Sequence, residues 1–506
     1  YYFTYDFREY ALYESNWILS QDLFTKYAKF SLKPYKGSFQ NPFIVRWWPY
    51  LPPGATPPQE GADHIIRLEA HDIAAFQVED YMPPENELKS RVNFVYSDEA
   101  FEPDQNKYWR KVGKKLDGQV EGFIGKPKAM ERAVAQVVSA SDSSDEKLRK
   151  LYDRVQSLRN TSYELEKTEQ EEKREKEKAP ANAEEVWKRG YGSGAQLTWL
   201  YLALVRAAGF EAYPVMVSDR RNYFFAPRSM DRSKLDANVV LVKLNGKDLF
   251  FDPGAAFTPF GLLEWPETGV AGLELDKDGG TWIQSMLPQS SDSRIEHKAK
   301  LRLSETGDLE GKVTVVFTGL EAMSRRMEQR HSDDVARKKY LEEQVREYIP
   351  AAIEIDLVNQ PDWKSSSQPL VAEYNLKIPG WVSGAGKRAF LPVGIFSAPE
   401  KHLFEHTNRV HPLYFEYPFE RLDDITIDLP LGWLVQSLPK PQKEDGHIVT
   451  YSLSAVGDAG SLHLTRTLTV DMLILEQKYY TAFRNFFQIV RSGDEEQIVL
   501  QPASSS

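Results

Sequence analysis

Few side chains in this sequence could do covalent chemistry, because it contains no cysteine. That removes disulfides and thiolate metal sites, and it leaves the compartment open. His402, His406 and His411 gather around Phe404-Glu405, where imidazoles could ligate a metal. Their spacing fits neither a helical nor a zinc-ribbon pattern, so they read as loop histidines and no metal is expected. Ser193 is a hydroxyl at the start of an apolar run. No histidine in that stretch could serve as its base, so it reads as a turn or cap residue. Asp252, just before Pro253, is either an acid placed for chemistry or a strand-end residue bonding nearby backbone; the second reading is preferred. The segment 218–234, SDRRNYFFAPRSMDRSK, interleaves Arg220, Arg221, Arg228 and Arg232 with Tyr223, Phe224 and Phe225. Such a mixture could grip an acidic or aromatic ligand. A surface loop with ordinary charge pairing is the alternative.

The element that must position these groups is 190–217, GYGSGAQLTWLYLALVRAAGFEAYPVMV. Leu197, Leu200, Tyr201, Leu204, Val205 and Ala208 recur at helical spacing and predict one apolar stripe. Gly209 falls where a left-handed C-terminal cap belongs. Residues 213–217 then read as a short buried strand. Two further strands, 237–244 and 247–252, meet at Asn245-Gly246, a strong hairpin signal.

These residues carry a resemblance to the transglutaminase-like superfamily, which has a papain-like fold. In that family a Gly-x-Cys turn opens a buried helix, and a Gly-x-x-Ala-Tyr-Pro-Val type strand follows. Gly192-Ser193-Gly194 lies on the Gly-x-Cys positions, and the run from Ala208 to Val215 matches the strand entry. The resemblance sets the nucleophile position at Gly194, the base position at Asn238 and the orienting acid at Asp252. A papain-type site needs a thiolate at a helix N-terminus and an imidazole base. Glycine has no nucleophile, and an amide takes no proton near neutral pH. The resemblance also makes 218–234 border the cleft. Side-by-side Asn238 and Asp252 would require a three-residue loop, 244–246, with Gly246 as a bulge. A two-residue turn would instead set Val239 against Asp252 and Lys243 against Asp248; the bulged form is the expectation.

At 506 residues the chain has room for about three domains. The expected class is α+β multidomain: an N-terminal β-sandwich-like domain (1–112), a papain-like transglutaminase core (113–290) and a C-terminal β-rich region (291–506). The last of these could split into two subdomains near 410. Strands are predicted over 1–10, 18–32, 65–76 and 92–96, and helices over 128–140, 145–158, 320–348 and 477–489. Trp17, Trp47 and Trp48 could form a carbohydrate platform or, as preferred, pack as sheet aromatics. The run 164–178 has almost nothing apolar to bury, and is expected to be solvated and exposed. The net charge of −11 argues against nucleic acid as a partner. No apolar run is long enough to span a bilayer. The chain opens on Tyr1-Tyr2-Phe3 without Met, which reads as a fragment with its start removed.

The order of regions also resembles a bacterial multidomain lineage in which a transglutaminase-like core lies between two β-rich domains of unknown function. Its members usually look exported, which implies a periplasmic or extracellular setting. The combined expectation is a pseudoenzyme without cofactors that binds or scaffolds a protein, peptide or glycan through its cleft. The alternatives are a protease, amidase or transamidase with substituted groups, and a structural spacer.

Overall fold

The 190–217 stretch folds around a reciprocal cap. In the computed structural model, which describes residues 12–34, 37–38, 41–42, 44–97, 102–165, 178–385, 388–458 and 460–502, Ser193 caps the helix Gly194–Ala207. Ser193 Oγ accepts from the Gln196 N–H, and Gln196 Oε1 accepts from the Ser193 N–H. All residues from 197 to 205 are buried. The helix is therefore enclosed on every side, where the spacing predicted a single stripe. Gly209, at φ 92°, turns the chain into the strand Glu211–Val217.

That strand is the centre of a five-stranded antiparallel sheet in the order Lys247–Phe251, Ala237–Leu244, Glu211–Val217, Ala271–Glu274, Thr281–Gln284. Four helices, Gln105–Ile124, Pro127–Val137, Ser144–Gln156 and Ala183–Arg189, close the main core around the central helix. Ser144–Gln156 starts from Ser143, whose hydroxyl and Glu146 form another reciprocal cap. Ser143→Ala is expected to cost about 1 kcal/mol in urea unfolding. The first of the four helices runs straight through residues 112 and 113.

The N-terminal strands form two three-stranded antiparallel sheets. One is ordered Leu12–Ile18, Arg91–Ser97, Ile44–Tyr50, and the other Thr25–Leu32, Ile66–Ile73, Gln59–Glu60. Their facing sides share Val92, Phe94, Ile66 and Leu68. The strand expected over 18–32 is broken at residues 19–24. The strand expected over 1–10 lies outside the described residues.

On the C-terminal side, an eight-stranded sheet joins strands before and after position 410. Arg294–Leu303 pairs in parallel with Phe419–Asp428, and one continuous core serves both halves. One sheet and one core therefore run across position 410, where the sequence left room for a division. The helix expected over 320–348 is two helices, Gly319–Glu328 and Asp334–Tyr348. Asp333 caps the second through the Ala336 N–H and so restarts it. The closing helix Tyr480–Asp494 is followed by a strand, Gln497–Pro502, that pairs with Arg388–Pro392 and Trp433–Ser437. Among the described residues, no helix is long and apolar enough to cross a membrane.

Candidate functional site

Gly194 opens the central helix against the loop that follows the hairpin. A Cβ at position 194 would lie 2.8 Å from the Gly254 carbonyl oxygen. That is well inside ordinary contact distance. The carbonyl is not free to yield. Asn160 Nδ2 donates to it at 2.8 Å, while the Gly254 N–H donates to Asp252 Oδ1 at 2.9 Å. The Gly194 N–H donates to Ser162 Oγ at 3.0 Å. Three N–H groups of the first turn, those of Gly194, Gln196 and Leu197, are therefore spent on oxygens of Ser162 and Ser193.

Asp252 sits 5% exposed beside the helix. Thr198 Oγ1 donates to its Oδ1 at 2.5 Å. Besides Thr198 and the Gly254 N–H, its companion is the Glu267 carboxyl, itself 4% exposed. Burial pushes Asp252 up to about 6 and holds Glu267 well above the ordinary carboxyl range. Two acids in one dry site hold protons more tightly than either would in water, because burial penalises the charge and each carboxylate raises the other. The fold therefore takes up protons that the unfolded chain would release. Stability from this pair is present at low pH and falls as pH rises from about 4 through about 6 and beyond. We expect Glu267→Gln to flatten that fall between pH 4 and pH 8. Thermal unfolding of both proteins across that range checks it, read as the difference between them.

The hairpin corrects the expected register. Leu244 pairs with Lys247, so the turn has two residues, with Asn245 at φ 53° and Gly246 at φ 74°. Both angles are positive, the geometry that Asn-Gly tolerates and that matches strand twist. Lys243 does stand opposite Asp248, although its ammonium reaches Glu274 at 3.0 Å. The strand ends at Phe251. Asp252 then leaves the sheet register, and its carboxylate turns toward the helix. Asn238 pairs with Met216 and shares the helix-side face with Val240 and Val242. Among the described residues, no hydrogen bond links Asn238 to Gly194 or Asp252.

The 218–234 segment does not act as one basic surface. Arg220 is 2% exposed. It donates to the Thr268 carbonyl at 2.8 Å, to Thr268 Oγ1 at 2.9 Å, to the Glu416 carbonyl at 2.5 Å and to the Tyr414 hydroxyl. Arg221 pairs with Asp219 and Glu264. Phe225 packs edge-on to Trp109, whose Nε1 donates to the Pro227 carbonyl. The Phe224 N–H donates to Glu87. Tyr223 donates to Asp236 at 3.3 Å. Arg228 is exposed. An acidic ligand would thus meet guanidinium groups at 220 and 221 that are already engaged.

Residues 166–177 of the charged run lie outside the described residues. Of the three loop histidines, His402 meets Glu405 and His411 meets the Gln77 carbonyl, each at 2.9 Å. Among the described residues, no group of His, Asp or Glu is placed to hold a metal.

Four residues near Gly194 escaped the sequence reading: Asn160, Ser162, Thr198 and Glu267. Only Thr198 left a signal, as a hydroxyl one turn after Gly194 in an otherwise apolar helix. The other three lie in a two-residue strand and two short 3-10 turns, elements too brief to leave a periodic pattern.

A family model described as a domain of unknown function with a solved structure, DUF3858, matches residues 387–500. A solved structure from Parabacteroides distasonis, described as a "putative protease", is similar over 97% of this chain and 75% of its own, with 12% identity and a TM-score of 0.54. A Cytophaga hutchinsonii structure described as a "putative cysteine protease" aligns over 48% of this chain and 78% of its own, with 10% identity and a TM-score of 0.20. No curated protein matches the chain.

Proposed function

We propose that this protein is a non-catalytic relative of the transglutaminase-like fold that binds or scaffolds a ligand, in the bacterial periplasm or outside the cell. The observation that carries the reading is the Gly194–Gly254 contact. The place a nucleophile's Cβ would occupy is taken by a backbone carbonyl that Asn160 holds. The remaining groups point the same way. Asn238 is no base, Ser193 is spent on its cap, and the Asp252 carboxylate is occupied by Thr198, Gly254 and Glu267. A cavity of 440 Å³ between the N-terminal sheet and the 222–234 loop favours binding over a purely structural spacer. The extracytoplasmic setting rests on the family resemblance alone.

A second reading is a hydrolase of the same fold with substituted groups. The protease description of the Parabacteroides structure and the buried Asp252–Glu267 pair favour it. One experiment separates the two. The purified chain is assayed for peptide hydrolysis and for glutamine–lysine transamidation, and only background turnover is expected. Turnover that survives repurification and disappears in Ser193→Ala or Asp252→Asn would replace the binding reading with the hydrolase one.

A further inference from the structure

The sheet Leu12–Ile18, Arg91–Ser97, Ile44–Tyr50 has two unlike faces. One packs Trp17, Val45, Trp47 and Phe94 into the N-terminal core. By the two-residue alternation of strands, the other sets Asn16, Asn93 and Trp48 abreast, with Ile18, Arg91 and Tyr50 in the next row. This second face looks across the 440 Å³ cavity at Asn222, Tyr223, Phe224 and Ser229 of the opposite loop. The volume falls within the range of about 300–1,000 Å³ that holds small ligands.

The charges around the cavity are already engaged. Lys89 Nζ donates to Glu85 at 2.6 Å. Arg91 donates to the Glu87 carbonyl at 2.9 Å and lies 4.1 Å over the Tyr50 ring. Lys234 Nζ sits 4.5 Å over the Tyr223 ring, and Asp231 accepts from Ser233 Oγ at 2.6 Å. The side chains left for a ligand are mainly neutral. Asn16, Asn86, Asn93 and Asn222 offer amides, each with donors and an acceptor in one plane. Ser229 Oγ is buried and has no hydrogen-bond partner in the protein. Trp48 supplies ring surface with a polar edge.

Planar amides beside aromatic faces suit a ligand that is polar at its rim, apolar on its ring faces and uncharged. We propose that this cleft binds a short neutral glycan, with sugar rings packed on Trp48 and hydroxyls bonded to Asn16, Asn93 and Asn222. The proposal rests on the non-catalytic binding reading and names its ligand class.

The full chain is titrated calorimetrically with cellotriose, maltotriose, mannotriose and chitotriose. Trigalacturonate serves as the charged control, and a pool of uncharged hexapeptides as the peptide arm. At least one neutral trisaccharide should bind, and trigalacturonate should not. Asn222→Ala lies on an exposed loop position and should weaken binding at least tenfold without moving the unfolding midpoint. Trp48→Ala should do the same; if it fails to fold, Asn16→Ala takes its place. The proposal falls if no neutral sugar binds, if trigalacturonate binds as tightly, or if these variants leave affinity unchanged. Peptide binding that the same variants abolish also overturns the glycan assignment, while leaving the binding-module reading intact. Failure of that wider reading shows separately, as turnover in the amide assays.

Discussion

Gly254→Ala is expected to destabilise the protein by about 3 kcal/mol or more, although it adds a single methyl group. The new Cβ would lie 2.7 Å from the Gly194 carbonyl carbon and closer still to Gly194 O and Thr198 Oγ1. None of these is the loose end of a flexible side chain. Gly194 belongs to the capped first turn, and Thr198 is fixed between Gly194 O at 3.1 Å and Asp252. Overpacking in such a place is relieved only by backbone movement, which commonly costs a few kcal/mol. The natural control is Gly118, exposed on the helix Gln105–Ile124, where a Cβ would meet nothing within 4 Å. Gly118→Ala should raise stability by about 0.5–1 kcal/mol. Urea unfolding of the two variants should therefore move in opposite directions. Equal midpoints for Gly254→Ala and the parent would show that the two backbones are not in contact, and the argument against a side chain at 194 would go with them. The same contact bears on rebuilding the site. Gly194→Cys with Asn238→His should fold less stably than the parent, and its thiol should be alkylated slowly for lack of room.

Arg220→Ala should cost about 3 kcal/mol or more and loosen the contact between the core sheet and the C-terminal strands. The side chain leaves the core just after the strand Glu211–Val217 and ends on Tyr414 and Glu416, nearly two hundred positions later in the chain. Its guanidinium lies 5.0 Å from the Trp265 ring and 5.6 Å from the Tyr414 ring. Removing it strands the Thr268 carbonyl in a buried place, and an orphaned buried group costs about 1–3 kcal/mol, to which the lost bonds to Tyr414 and Glu416 add. Arg220→Lys should rescue only part of the loss, since an ammonium cannot supply the planar fork. Calorimetry reads the effect. The parent should unfold with the two regions coupled, and Arg220→Ala should separate the C-terminal transition from that of the core. A single unshifted transition would mean that the junction is held by other contacts, among them the Thr258 hydroxyl, which donates to Met323 Sδ at 3.7 Å.

Local patterns made part of this molecule legible. The helix at 194, its Ser193 cap, the Gly209 exit and the strand after it follow from apolar spacing and cap chemistry, which act within a few residues. The Asn245-Gly246 hairpin was equally plain, and its two-residue turn follows from the positive φ angles that pair accepts. The bulged register was favoured only to keep Asn238 beside Asp252, and the local preference prevailed. Strand alternation separates Trp47 from Trp48, the first into the core and the second toward the cavity.

Composition alone determined that no thiol could act here, and the sequence left the rest of the site undecided. Whether Gly194 had room for a side chain depended on Gly254, sixty residues on, and on the Asn160 amide that holds its carbonyl. Whether Asp252 was free depended on Glu267, which ends a single 3-10 turn with no periodic signal. The arginines at 220 and 221 looked alike in the chain. Packing buried the first at the junction with Tyr414 and left the second at the surface with Asp219 and Glu264. Short-range rules fix helices, caps and turns because their partners are neighbours in sequence. Burial and proton affinity are set by partners that only the folded chain brings together.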